Sequence, residues 1–456
     1  MTAAPALTGA RTTWTAAPLP RAVRRAGPVL PLLPLLSLIA MLALPLGPGG
    51  QDGGGGLTPA DAVSGLVVAV CAVRAVRGGQ RPLTRTAYVV LALPVPAIAV
   101  AALGAGSASD SLQGMVRYCQ IFVLVPAAVL LLVRDRRDFR LVGWALVALG
   151  LYQGTIGVYQ YLTGTGASYA GEDVRAVGTF GATDVMGMST VVAYGLICAV
   201  ALALGDGTRR VRLTALACAL GLLVPLALSF SRGAWIATAV AVLLQIVLAG
   251  VRRAARLLLV GAAAAVVLVG GFGVGTSMLQ ERLSSITQVT AAPDQSVTDR
   301  YTLWAAAADM WREHPATGVG LKDFPAHRDG HASIALSAGS DVAGAGAAFH
   351  RQPLLSPHNM YLLVLSEQGL LGVCAFVGAW AALLVRGLRR LGAAHRTGRG
   401  LDCALLACAL LTWQLIDFAY ADIGGPSTVL TAVVFGLVAW WALAPAALDA
   451  EPGAGR

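Results

Sequence analysis

The run LTALACALGLLVPLALSFSRGAWIATAVAVLLQIVLAG, residues 213–250, is 38 residues long and holds one charge, Arg232. A membrane-spanning helix needs about 20 apolar residues. The run is therefore two spans and a turn, with Arg232 at the turn. A guanidinium keeps its proton in a protein and is expensive at mid-bilayer depth. A helical hairpin removes that cost, because Arg232 then opens the second helix at the membrane surface. Position alone is compatible equally with snorkelling to the interface and with a functional role.

The rest of the chain has the same character. Of its 456 residues, 57% are hydrophobic and 12% charged, with a mean hydropathy of +0.71. That composition excludes a soluble multi-domain protein. Apolar runs near 28–47, 57–76, 86–106, 112–133, 141–162, 181–205, 213–230, 233–250, 257–276, 357–385, 401–421 and 426–446 predict an all-α, polytopic integral membrane protein of about 12 transmembrane helices. RAVRRAG at 21–27 precedes the first run with no convincing cleavage site, which reads as an uncleaved first span.

The net charge of +10 is a topology signal. With both termini cytoplasmic, 24 of the 33 basic residues fall on the inner side and 17 of the 23 acidic residues on the outer side. This is the positive-inside pattern, and it argues against a nucleic-acid partner. The expected organisation is an N-terminal tail at 1–27, helices over 28–276, an extracytoplasmic loop at 277–356, helices over 357–446 and a C-terminal tail at 447–456. The seven cysteines lie in apolar runs without CxxC spacing and read as packing residues.

Within the loop, TDRYTLWAAAADMWREHP predicts an amphipathic helix at the membrane interface, with Leu303, Trp304, Ala307, Ala308 and Trp311 on one face. The Gly- and Ala-rich stretch 337–349 reads as mobile. GGFGVGTS at 270–277 lacks the spacing and the preceding strand of a dinucleotide loop and suits helix packing.

Four segments carry candidate chemistry: RAVGTFG at 175–181, SFSRGAW at 229–235, HPATGVGLKDF at 314–324 and PHNMYLLVLSEQGLLG at 357–372. In their order, and in the pattern HNxYLxxLxExGxxG, the chain resembles the O-antigen ligase and polymerase superfamily of bacterial membrane glycosyltransferases over roughly residues 110–440. The resemblance implies transfer of a glycan from a polyprenyl-diphosphate lipid, such as undecaprenyl diphosphate, to a hydroxyl on a glycan, lipid or other acceptor. It implies reaction at the outer face of the bacterial cytoplasmic membrane. It also implies His358 as the catalytic residue and Arg175, Arg232 and Arg300 as the diphosphate-binding residues. After GTF many members carry an NPN-like segment, where this chain has GATDVMG.

Residue chemistry agrees with those roles. Guanidinium groups bind phosphate oxygens bidentately and oppose charge developing on a leaving diphosphate. An imidazole titrating near pH 6.5 accepts a hydroxyl proton. Asn359 reads as the cap of the helix after His358, or as a substrate contact, and Tyr361 as an interface aromatic or a contact. Glu367 lies two turns into an apolar helix, where a carboxylate is expected to face a polar cavity or pair with an outer arginine. Asp417 and Asp422 are weaker candidates of the same kind.

No metal and no cofactor are expected. Glu172 and Asp173 lack metal-binding DxD spacing and can equally pair with Arg175. His327 and His331, in HRDGH, are four apart, but Asp329 and Gly330 favour a turn and no third ligand is evident, which argues against zinc. The rival reading is a transporter or flippase of lipid-linked sugars. It would require mid-bilayer charges and commonly two related halves, and neither is visible here.

Overall fold

The computed structural model describes residues 30–45, 58–78, 83–169, 175–184, 186–250, 295–333, 336, 341–342, 354–424 and 427–447, together with 255 and 259. The helices are α1 (Leu33–Met41), α2 (Pro59–Val76), α3 (Arg85–Leu103), α4 (Ala108–Leu132), α5 (Arg136–Thr163), α6 (Gly187–Leu204), α7 (Arg209–Leu228), α8 (Arg232–Ala249), α9 (Gln295–Glu313), α10 (Phe324–His331), α11 (Met360–Thr397), α12 (Leu401–Asp417) and α13 (Thr428–Leu443).

Among the described residues, eight helices are long and apolar enough to cross a membrane: α2 to α8 and α11. The helices at Leu30–Met41 and Thr428–Leu443 are apolar but shorter, and α12 has 17 residues. The expected span at 257–276 lies outside the described residues, as do the tail at 1–27, Glu172 and Asp173. The protein is a multi-pass, all-helical membrane protein, and the count of twelve is not reached among the described residues. A two-residue pair, β1 (Ser168–Tyr169) with β2 (Asp341–Val342), is antiparallel. Part of the stretch expected to be mobile is thus held against the end of α5.

Helix α6 is the centre of the bundle, with every residue buried. It packs against α5, α7, α8 and α12. Close approach to α5 and α7 depends on small residues. A Cβ at Gly195 would lie 3.1 Å from the Leu146 carbonyl, and one at Gly154 would lie 2.6 Å from the Pro225 ring. Small residues at such crossings let dispersion forces replace the hydrophobic drive that lipid does not supply. On the other side of the bundle, Phe122, Phe376, Trp380, Phe418 and Phe435 form an aromatic cluster, with Phe122 and Phe376 4.8 Å apart. Two buried tryptophans of the bundle satisfy their N–H groups, Trp440 on the Val133 carbonyl at 2.7 Å and Trp413 on Thr238 Oγ1 at 3.0 Å.

The two ends of the bundle differ. One is tied by arginines: Arg140 pairs with Asp402 at 2.5 Å, and Arg390 donates to the carbonyls of Trp441 and Ala444. The other carries the α3–α4 turn, the 175–184 segment, the α7–α8 turn, α9, α10, the start of α11 and the α12–α13 connection.

Helix α11 is broken at Gly369, whose φ is +62°. The segment after α9 docks into the break. Leu370 and Leu371 donate to the carbonyls of Pro315 and Ala316 at 2.9 and 3.1 Å, and the carbonyls of Ser366 and Glu367 accept from Val319 and Gly320 at 2.8 and 3.2 Å. Backbone groups released by the kink are thereby satisfied by the loop. The expected loop helix is present, but its buried face is Leu303, Ala306, Ala307 and Met310. It packs on α10 and α11 as part of the protein body. HRDGH is helical, as the end of α10, where a turn was expected.

A side chain at Gly369 would place its Cβ 2.4 Å from Ala316 backbone carbon in a left-handed conformation. Gly369→Ala is expected to destabilise the protein by about 2 kcal/mol or more. Gly221→Ala, in open space on α7, is expected to be neutral or mildly stabilising. Thermal unfolding of the two variants in one detergent checks the contrast.

Candidate active site

Arg232 stands where the hairpin reading puts it. Helix α7 ends at Leu228 and α8 begins at Arg232, with Ser231 Oγ capping the Ala234 N–H at 3.3 Å. A cation in the first turn opposes the helix dipole, so both the helix end and the side chain favour an anion there. Next to it, Gly233 makes room for Tyr420, whose ring would be 2.3 Å from a Cβ at that position.

Arg175 lies on an extended segment bridged to Ala167, its N–H donating to the Ala167 carbonyl at 2.7 Å. The following residue, Ala176, donates to the Leu228 carbonyl at 3.3 Å. Arg175 thus borders the α7–α8 turn. Two glutamines of α5, seven residues apart and so on one face, hold this segment. Gln160 Oε1 accepts from Val177 and Gly178 at 3.1 and 2.8 Å, and Gln153 bonds the Thr179 N–H, the Thr179 hydroxyl and the Leu42 carbonyl.

His358 occupies a strained turn ahead of α11, with φ +47°. Its Nδ1 lies 4.0 Å from Asp422 Oδ2, and 43% of its side chain is accessible within a ring of protein groups. Ser356 Oγ donates to the same Asp422 oxygen and accepts from the His358 N–H at 3.4 Å. Burial lowers the imidazole pKa below its ordinary value; Asp422 raises it and Arg300 lowers it. Arg300 acts electrostatically on Tyr420 as well, so its charge lies near both the His358 turn and the ring that packs on Gly233. The structure therefore brings Arg232, Arg300 and His358 together around the 417–422 turn. Arg175 borders the same region through the α7–α8 turn, with no described contact to the His358 turn.

Asn359 and Tyr361 face inward. Asn359 caps α11 through Leu362 N–H at 3.1 Å and donates to the Ala419 carbonyl at 2.8 Å, and the Tyr361 hydroxyl donates to the Leu415 carbonyl at 2.6 Å. Both tie α11 to the end of α12, so the capping reading of Asn359 holds. Glu367 is 1% exposed and accepts from the Phe324 N–H at 3.5 Å. The cation acting on it is Lys322, not the arginine expected. Glu367 belongs to the seat of the outer loop. His331 Nε2 faces Glu313 at 3.2 Å, while His327 and His331 both turn Nδ1 to a carbonyl one helical turn back. No group of three metal-ligating side chains is assembled among the described residues.

The family model described as O-Antigen ligase matches residues 216–377, from within α7 to the middle of α11. Over this segment the chain is similar to that family, which supports the O-antigen ligase/polymerase superfamily. The match takes in Arg232, Arg300, His358 and Glu367, while Arg175 and the 417–422 turn lie beyond it. No curated protein gives a match to the chain. The match supports a membrane glycosyltransferase of the ligase or polymerase type.

Asp422, Ser356, Trp304, Gln153 and Gln160 have no role that the sequence assigns, apart from the weak signal of Asp422 at the end of an apolar run. Gln153 is fully buried, and Gln153→Leu leaves the Thr179 backbone N–H without its acceptor. The expected loss is about 2–3 kcal/mol of stability, measured as a lower unfolding midpoint.

Proposed function

We propose that the protein transfers a glycan from a polyprenyl-diphosphate lipid to an acceptor hydroxyl, without a metal, on the extracytoplasmic side of the bacterial cytoplasmic membrane. The observation that carries this reading is the accessible His358 imidazole, 4.0 Å from Asp422 and beside the charge of Arg300. Arg232 and Arg300, with Arg175 at their flank, hold the diphosphate, assisted by the positive end of α8.

In the proposed step, the neutral His358 takes the proton of the acceptor hydroxyl as its oxygen attacks the anomeric carbon. The bond to the diphosphate oxygen breaks, and its electron pair stays on the lipid diphosphate, whose charge the arginines oppose. Single displacement inverts the anomeric configuration. Asp422 orients the imidazole and stabilises the imidazolium that forms, the general role of a carboxylate behind a catalytic histidine. Asn359, Tyr361 and Glu367 hold the scaffold around this centre. A glycan acceptor still attached to a carrier lipid makes the enzyme a polymerase, and a final surface carrier makes it a ligase.

Cells expressing His358→Ala in place of the native protein test the reading by mass analysis of lipid-linked glycans. Single lipid-linked repeats are expected to accumulate if the enzyme is a polymerase, and finished lipid-linked chains if it is a ligase. Unchanged pools at normal membrane expression would contradict the reading. Loss of flipping of labelled donor across vesicles would favour the transporter.

The pH dependence carries a sign. A histidine base works only when neutral, so activity falls as pH drops through its pKa. Removing the cation in Arg300→Gln is expected to move the acid limb of the kcat profile to higher pH. Asp422→Asn is expected to move it to lower pH, with a lower plateau. Arg232→Lys keeps the charge but loses the guanidinium fork, and is expected to weaken donor binding about tenfold or more, read as KM for the lipid-linked donor.

A further inference from the structure

The turn that carries His358 is held from outside by two side chains with no role in the step above. Trp304, on α9, donates its indole N–H to the Pro357 carbonyl at 2.8 Å. Arg328, on α10, donates through Nη1 to the Leu354 carbonyl at 2.9 Å. The two carbonyls belong to one short turn, and that turn holds two non-glycine residues in the left-handed region, Leu354 at φ +43° and His358 at φ +47°. Such strain persists only where surrounding contacts over-determine the backbone. The inner side of the turn is fixed separately, by Ser356 on Asp422 and by the Met360 N–H on the carbonyls of Phe418 and Ala421.

We infer that Trp304 and Arg328 form a two-point clamp by which the outer-loop helices press the His358 turn against Asp422, making both of them positioning residues for the transfer step. The inference rests on the catalytic reading of His358. Neither side chain is needed to hold the donor. Arg328 is oriented by Asp329, at 2.8 Å from its Nη2, and reaches the backbone of the turn. Trp304 lies one helical turn from Arg300 on α9, so that helix delivers the cation and fixes the turn together.

The test compares purified full-length Trp304→Phe, which keeps a ring but loses the N–H, and Arg328→Met, which keeps the stem but loses the donors, with the native enzyme. Each is expected to lower kcat roughly ten- to hundredfold, the scale of a small misplacement of a catalytic group, with donor KM unchanged. Each is also expected to move the acid limb to higher pH, because burial and Arg300 outweigh Asp422 in holding the imidazole pKa low and a loosened turn relieves all three. The double variant is expected to lose less than the product of the two single losses, because both act through one turn.

Histidine hydrogen–deuterium exchange followed by mass spectrometry reads the His358 titration without relying on turnover. It is expected to show the same upward shift in both variants. Native kcat and an unmoved His358 titration in both variants, with His358→Ala inactive, would overturn the clamp alone. A fall in unfolding midpoint with kcat, KM and titration unchanged would also overturn it, since the residues would then serve only stability. Full activity of His358→Ala would overturn the reading on which the clamp rests.

Discussion

The exchange of backbone hydrogen bonds at the break in α11 joins the outer loop to the bundle, and the geometry of the site depends on it. In an apolar environment each freed N–H or C=O costs several kcal/mol if left alone. At Gly369 the helix gives up its own ladder, and residues 315–320 supply the missing donors and acceptors. Docking there fixes the C-terminal end of α9, and α9 then runs alongside the first turns of α11. Its Trp304 reaches Pro357 and its Arg300 comes beside His358. Glu367, buried close before the break, adds its bond to Phe324 and so seats α10 as well.

That arrangement sets two helix N-termini, those of α8 and α11, around the turn after α12. Arg232 and Arg300 add formal positive charge to the partial charge of those helix ends. His358 stands close by on a backbone that is strained and held from both sides. The cations and the imidazole of the proposed site thus come from elements far apart in sequence, which the docked loop gathers. The opposite end of the bundle, where Arg140 pairs with Asp402 and Arg390 meets carbonyls, is a set of satisfied ties and carries no comparable strain.

Local physics makes part of this legible in the sequence. The position of Arg232 follows from counting residues across a bilayer, and the role of Asn359 from the preference of Asn for a helix cap. The loop helix follows from its apolar spacing. The features that leave no such trace are non-local. Asp422 is more than sixty residues from His358, and its place at the end of an apolar run marks it only weakly and does not name the histidine as its partner. The docking of 315–320 on α11 uses backbone groups, which leave no side-chain pattern; only the glycines at 318, 320 and 369 hint at close approach. Charge alone points Glu367 towards an arginine, whereas the fold gives it a backbone N–H and Lys322. HRDGH is helical because Pro325 starts α10 and its packing on α9 outweighs the turn preference of Asp329 and Gly330.

The central claim is that the cations and the imidazole gathered at this end of the bundle form one diphosphate-consuming site. An experimental structure of the protein in lipid, with a non-hydrolysable polyprenyl-diphosphate sugar bound, tests it most directly. The account predicts diphosphate density between Arg232 and Arg300, with the anomeric carbon facing His358. Diphosphate bound midway along the bundle, away from His358, would contradict it.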